Sequence, residues 1–238
     1  MIAWLDARNP NQPFPPAEAA LVEPNGLLAA GGSLAPARLL NGYRQGIFPW
    51  YGKGQPILWW SPDPRTIFLP DRIRVSHSLR KVLRSGRYTV TVDHAFARVI
   101  AECAAPRPEA PESWITREMR EAYCRLHVLG YAHSIETWHG ERLVGGLYGV
   151  ALGGVFFGES MFSRMNDASK VALVHLGRLL VQRGFGFIDC QLETGHLLSL
   201  GAQSLPRAEF LKLLHEHVHR LPPATPWTLP AEATPGAG

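Results

Sequence analysis

Cysteine is scarce in this chain. Its 238 residues hold three (Cys103, Cys124, Cys190), an odd number with no CxxC spacing. That gives no disulfide framework and fits a reducing compartment. No apolar stretch approaches the length of a membrane-spanning helix. The start, Met1-Ile2-Ala3-Trp4-Leu5-Asp6, lacks a basic region followed by a long apolar run, so no signal peptide is expected. Blocks of like charge and internal repeats are missing. So are the phosphate loop ending in Lys-Ser/Thr and the dinucleotide fingerprint. Charge is close to balanced, with 24 Lys and Arg against 20 Asp and Glu, a net of +4. Such a surplus permits an anionic partner without demanding one. His215, His217 and His219 alternate, and His215 and His219 share a helical face that could hold a metal, but the His-Glu-x-x-His order is absent. They read as a solvated helix end. The expectation from these absences is a soluble cytoplasmic protein with no membrane partner, no metal and no cofactor.

What is present is ordinary globular composition, 46% hydrophobic and 18% charged, in a length that suits one large domain or a large and a small one. Residues 1–32 are rich in Pro, Ala and Gly and read as an arm with loops. Ser33 is placed as the cap of a helix from Pro36, which suits a first turn. A short strand over 56–61 and the turn Ser61-Pro62-Asp63-Pro64 close a small N-terminal domain, 1–62. The main domain, 63–220, alternates helices with strands: Ser76, Asp93, Thr116 and Asp167 are helix-cap candidates, and Tyr88 to Val92 alternates as a half-buried strand. Three strands between Ala132 and Ser160, with tight turns at His139-Gly140 and Gly153-Gly154, form an antiparallel meander. A helix over 168–182 and a strand over 185–191 follow. The fold class is α+β, with a Pro- and Ala-rich tail, 221–238, expected to be disordered.

Two polar spots interrupt apolar sequence. Glu159 follows Phe156-Phe157-Gly158 at the end of one strand. A carboxylate there is costly unless it is paired or functional. A salt bridge to Arg164 or Lys170 is the structural alternative to binding a cationic ligand. Asp189 and Gln191 end the strand Phe187-Ile188-Asp189-Cys190-Gln191. Alternation puts these two on one face and Cys190 on the other. They serve either hydrogen bonding to loops or chemistry. Arg72, Arg74, Arg80, Lys81, Arg84 and Arg87 cluster with one acid, Asp71. This is a phosphate-binding run or a solvated helix face. Four of the seven tryptophans, Trp50, Trp59, Trp60 and Trp114, lie in loop-like or strand-like sequence. Half-exposed indoles serve recognition, whereas Trp59 and Trp60 read as core.

Longer strings carry more. Asn41-Gly42-Tyr43-Arg44-Gln45-Gly46-Ile47-Phe48-Pro49-Trp50, Trp59-Trp60-Ser61-Pro62-Asp63-Pro64-Arg65, Gly158-Glu159-Ser160-Met161-Phe162-Ser163, Ala168-Ser169-Lys170, Asp189-Cys190-Gln191 and Gly195-His196-Leu197 stand in one order from about Asn25 to Leu214. Together they resemble the leucyl/phenylalanyl-tRNA–protein transferase family. The resemblance implies a small N-terminal domain and a larger one similar to GNAT-like acyltransferases, with a mainly antiparallel sheet flanked by helices. It implies transfer of Leu or Phe, and Met less well, from aminoacyl-tRNA to proteins beginning with Arg or Lys, which feeds N-end rule degradation.

By the same resemblance Asp189 hydrogen-bonds Gln191 and Gln191 faces the attacking amine, making these two the catalytic pair. Glu159 and Asp189 would offer negative charge to the acceptor's Arg or Lys. Met161 and Ile188 are expected in the aminoacyl pocket, with Tyr43 and Tyr123 beside them. Trp50 and Trp114 match aromatics near the terminal adenosine. Arg72, Arg74, Arg80, Lys81 and Arg84 would carry tRNA phosphates. Two other readings are a transferase that adds to a cell-wall peptide precursor, and a non-catalytic module that binds RNA ends or N-degrons.

Overall fold

The computed structural model describes residues 2–106, 113–220 and 227–229. The chain begins with β1 (Ala3–Leu5), β2 (Leu27–Gly31), α1 (Pro36–Arg44), β3 (Phe48–Pro49) and β4 (Leu58–Trp60). These strands form one sheet in the order β1-β2-β4-β3, with β1 parallel to β2. The sequence reading of 1–32 as an arm with loops therefore needs correction. Strands this short, in Ala- and Gly-rich sequence, carry no readable period. Trp59 is core: it is fully buried, donates from Nε1 to Gly31 O at 2.9 Å and packs edge-on to Phe14. Trp60 is half-buried. Pro36 opens α1, but Ala35, with no side-chain bond, takes the cap position assigned to Ser33.

The second sheet begins with β5 (Arg65–Phe68). Then come α2 (His77–Arg84), β6 (Thr89–Val92), α3 (Phe96–Ala104), α4 (Arg117–Val128), β7 (Ala132–His139), β8 (Arg142–Leu152) and β9 (Val155–Ser163). The chain continues through α5 (Ala168–Gln182), β10 (Phe187–Gln191), α6 (Gly195–Ser199), β11 (Gln203–Leu205) and α7 (Arg207–Val218). The strand order is β11-β5-β10-β9-β8-β7-β6. Every neighbouring pair is antiparallel except β9 and β10, which are parallel and joined by α5 as a crossover helix. The fold is α+β, with α5 on one face of the sheet and α3 and α4 on the other. Among the described residues no helix is long and apolar enough to cross a membrane.

Ser76 and Thr116 cap α2 and α4 as expected, accepting from Leu79 N and Met119 N at 3.2 Å each. Asp93 and Asp167 do not cap. Both have positive φ, 57° and 63°, unlike the extended backbone of a capping residue. Asp93 instead bonds His133 Nδ1 at 2.7 Å and accepts from Ser134 N, and Asp167 pairs with Lys170.

The tail is partly anchored. Trp227 stacks on His133 with ring centroids 3.9 Å apart, and the Arg183 guanidinium lies 4.7 Å from its ring centre. It joins the α5-side core near Phe185 and Phe156. The expected disorder from 221 on is thus corrected for 227–229; the rest of that tail, like Pro108 and Pro111, lies outside the described residues. Trp227→Ala should lower stability by on the order of 2 kcal/mol, below a full core truncation because the ring is only half-buried. Urea unfolding checks this. An unchanged midpoint would mean that the contact contributes nothing.

Candidate active site

β9 and β10 pair only from Val155 and Phe187 to Phe157 and Asp189. Beyond that they fork. β9 stays with β8 as far as Ser163, while β10 stays with β5 to Gln191. Each carries a bulge at the fork. Tyr148 and Gly149 of β8 oppose Ser160 and Gly158, which leaves Glu159 as the extra residue. Ile67 and Thr66 of β5 oppose Asp189 and Gln191, which leaves Cys190 extra. A Cβ on Gly149 would lie 2.2 Å from Phe157 O, so glycine is what lets the strands close at the first bulge. Gln191 holds φ +59°, a strained value for a residue with a side chain. Bulges bend a strand and re-aim its side chains. Glu159 therefore lies mid-strand, not at a strand end, and the period of two does not carry from Asp189 to Gln191.

Within the fork lies a cavity of about 310 Å³, in the size range of small-ligand sites. Its apolar walls include Phe156, Met161, Leu173 and Ile188, and Glu159 and Gln191 line it as well. Cys190 also lines it, alongside Gln191, while Asp189 does not. Asp189 and Gln191 thus do not share a face.

Glu159 is held from behind. Tyr43 Oη lies 2.6 Å from its Oε1, Tyr123 Oη 2.9 Å from its Oε2, and the two hydroxyls are within hydrogen-bond distance of each other; the two phenol protons fill two of these three contacts, and the third is filled when the carboxyl is protonated. Both tyrosines are fully buried and neither lines the cavity, so they position the carboxyl rather than form the pocket wall. Burial pushes the Glu159 carboxyl up to about 7, although the tyrosine hydrogen bonds favour its charged form. Burial also holds both phenols well above their usual range. The alternative partners are engaged elsewhere, Arg164 with Glu102 and Lys170 with Asp167. Among the described residues Glu159 makes no ion pair.

Asp189 has a different environment. Arg65 donates from Nε to Oδ1 at 2.8 Å and from Nη2 to Oδ2 at 2.7 Å, and both side chains are dry. Arg65 also donates to Gly46 O at 3.0 Å and lies between the rings of Phe48 and Phe210. It therefore ties both sheets and α7 to the site. Arg65 thus answers the charge of Asp189, whereas Glu159 makes no such pair among the described residues. Asp189 does bond Gln191, but through the main chain: Gln191 N donates to Oδ1 at 3.0 Å. The Gln191 side-chain Nε2 is buried without a partner, a donor available to a ligand.

Residues 67–215 match the family model described as leucyl/phenylalanyl-tRNA protein transferase, and residues 32–63 match that of its N-terminal domain. The chain belongs to this family. A leucyl/phenylalanyl-tRNA–protein transferase of Azoarcus sp. (strain BH72) is 61% identical over 228 residues, covering 96% of each chain. One from Aromatoleum aromaticum is 61% identical over 88% of this chain and 87% of its own. Among solved structures, a GCN5-related N-acetyltransferase from Kribbella flavida superposes on 72% of this chain and 61% of its own, with TM-score 0.37 at 10% identity, too loose a likeness to assign anything. The protein is an aminoacyltransferase.

The remaining candidates in this transferase lie outside the fork. Trp50 is 40% exposed and edge-on to Trp60, and Trp114 is half-buried against the core. Their sequence neighbours Tyr51 and Ser113 line one cleft of about 720 Å³ beside α4. Arg72, Arg74, Arg80, Lys81 and Arg84 are all exposed and make no ion pair among the described residues. His215 and His219 meet edge to face, with ring centroids 5.5 Å apart, and no metal-binding group of three is found among the described residues. Sequence reasoning missed Arg65. Its signal was a lone charge heading the apolar strand Thr66-Ile67-Phe68. Nothing in the sequence singled out Tyr43 and Tyr123 as partners of Glu159.

Proposed function

We propose that this aminoacyltransferase moves Leu or Phe, and Met less well, from aminoacyl-tRNA to the N-terminal α-amine of cytoplasmic proteins beginning with Arg or Lys, marking them for N-end rule degradation. The observation that carries this is one cavity with apolar walls and a single uncompensated carboxyl, Glu159, beside the Gln191 amide. An apolar side chain is bound there by burial, roughly 0.8 kcal/mol per methylene. Such a pocket rejects charge strongly and Met weakly.

The donor ester is already activated. The amine attacks its carbonyl carbon, a C–N bond forms, the C–O bond to the terminal ribose breaks, and the proton that the amine loses ends on the departing ribose oxygen. No covalent enzyme intermediate is needed. Burial pushes the Cys190 thiol up, and a protonated thiol is a poor nucleophile. An α-amine with pKa of roughly 8 is partly neutral at working pH, so orientation is the main task. Gln191 is no base; it orients the amine. Glu159 reads the acceptor's guanidinium or ammonium, which draws off the carboxyl proton by favouring the charged form. Trp50 and Trp114 stack the tRNA's terminal adenosine, and Arg72, Arg74, Arg80, Lys81 and Arg84 hold its phosphates.

The test is transfer of labelled Leu or Phe from charged tRNA to an Arg-initiated peptide, with a Gly-initiated control. Label on the Arg peptide alone is expected. Label on neither, with charged tRNA still bound, would overturn the acceptor assignment. Ile188→Ala and Met161→Ala should each lower kcat/KM for Leu donors by about 10-fold while the affinity for uncharged tRNA stays constant. An unchanged kcat/KM would take the donor side chain out of this cavity.

A further inference from the structure

The far end of α5 meets α2 at a second charged site. α2 packs on α5 through Leu79, Val171 and Val174. Gly177 lets the segment before α2 approach closely: a Cβ there would lie 2.6 Å from Ile73 Cδ1 and 2.9 Å from Pro70 O. The next residue, Arg178, is the one charged residue exposed in the second half of α5. It shares a hollow of about 480 Å³ with Arg80, Arg84, Val75 and Leu83. Three guanidiniums from two helices therefore line one hollow, and among the described residues no carboxylate lines it. Arg80 and Arg84 are like charges at a helical spacing that repels, and neither makes an ion pair among the described residues. The apolar walls lower the local dielectric and concentrate the positive field. Guanidiniums match phosphate oxygens in charge and in bidentate geometry.

We propose that Arg178 is a tRNA-binding residue that joins Arg80 and Arg84 across the α2–α5 hollow to hold one backbone phosphate. This rests on the reading of α2 as a phosphate-binding helix and adds a member far from the basic cluster in sequence. The experiment measures binding of Leu-tRNA at several salt concentrations for wild type, Arg178→Ala, Arg178→Lys, Arg80→Ala and Arg84→Ala, with thermal unfolding of each. Arg178→Ala should reduce the slope of log K against log salt by about 1 and weaken low-salt affinity by about fivefold, while Arg178→Lys keeps the slope. The donor KM should rise with kcat unchanged, and a cooperative thermal transition shows that the variant is folded. A slope unaltered by Arg178→Ala but reduced by Arg80→Ala and Arg84→Ala would overturn the assignment and leave the α2 reading standing. A slope unaltered by all three would overturn both.

Discussion

Asp189→Ala should destabilise the protein by about 3–5 kcal/mol as well as stop transfer, because it leaves the Arg65 guanidinium buried and unanswered. The pair is dry on both sides and doubly bonded. Arg65 also bonds Gly46 O and sits against Phe48 and Phe210, so its loss of anchorage is felt in both sheets. Losing Asp189 also removes the acceptor that holds the Gln191 main chain at its strained φ. Activity loss in this variant thus mixes folding with chemistry. Gln191→Ala separates them: transfer should fall sharply with stability changed by less than about 1 kcal/mol. Chemical unfolding and single-turnover transfer on both variants make the comparison. Wild-type stability in Asp189→Ala would show that the ion pair contributes nothing, and full turnover in Gln191→Ala would remove the amide from the reaction. Replacing Arg65 and Asp189 together by apolar residues should recover much of the stability but no transfer.

The second large effect concerns Glu159. Glu159→Gln should lower kcat/KM on Arg- and Lys-initiated acceptors by about 10- to 100-fold, the range of a lost charge-assisted hydrogen bond. It should also change how stability depends on pH. The folded carboxyl is raised from 4.5 to about 7, so between these values the folded state holds the extra proton. Stability therefore falls as pH rises through that window and levels off above it. The loss is at most about 3 kcal/mol, reduced by partial solvent access. Gln removes this dependence, so the variant should match wild type near pH 4 and be the more stable at pH 8. Acceptor affinity of the wild type should rise as pH passes about 7 and the carboxylate forms. Parallel stability curves for the two proteins from pH 4.5 to 8 would mean that the carboxyl titrates normally and that burial does not hold it protonated.

Local pattern alone marked Glu159, Asp189 and Gln191, because a polar residue inside an apolar run stands out against its neighbours. It also placed the meander from Ala132 and the caps Ser76 and Thr116, whose partners lie three residues away. Pairing across the chain was not legible in the residues. Arg65 and Asp189 are 124 residues apart, and Tyr43 and Glu159 are 116 apart. No period links such positions. The bulges at Glu159 and Cys190 are likewise decided by the neighbouring strands. They arise where β9 leaves β10 and each keeps its other partner. That fork makes the cavity, carries Gln191 away from the face of Asp189, and turns Tyr43 and Tyr123 from expected pocket walls into the support of a carboxyl. By itself, then, the sequence determined which residues could carry chemistry. Only the tertiary structure decided which of them is paired with a distant charge, which is buried without one and which lines the cavity, because burial and distant partners set those properties.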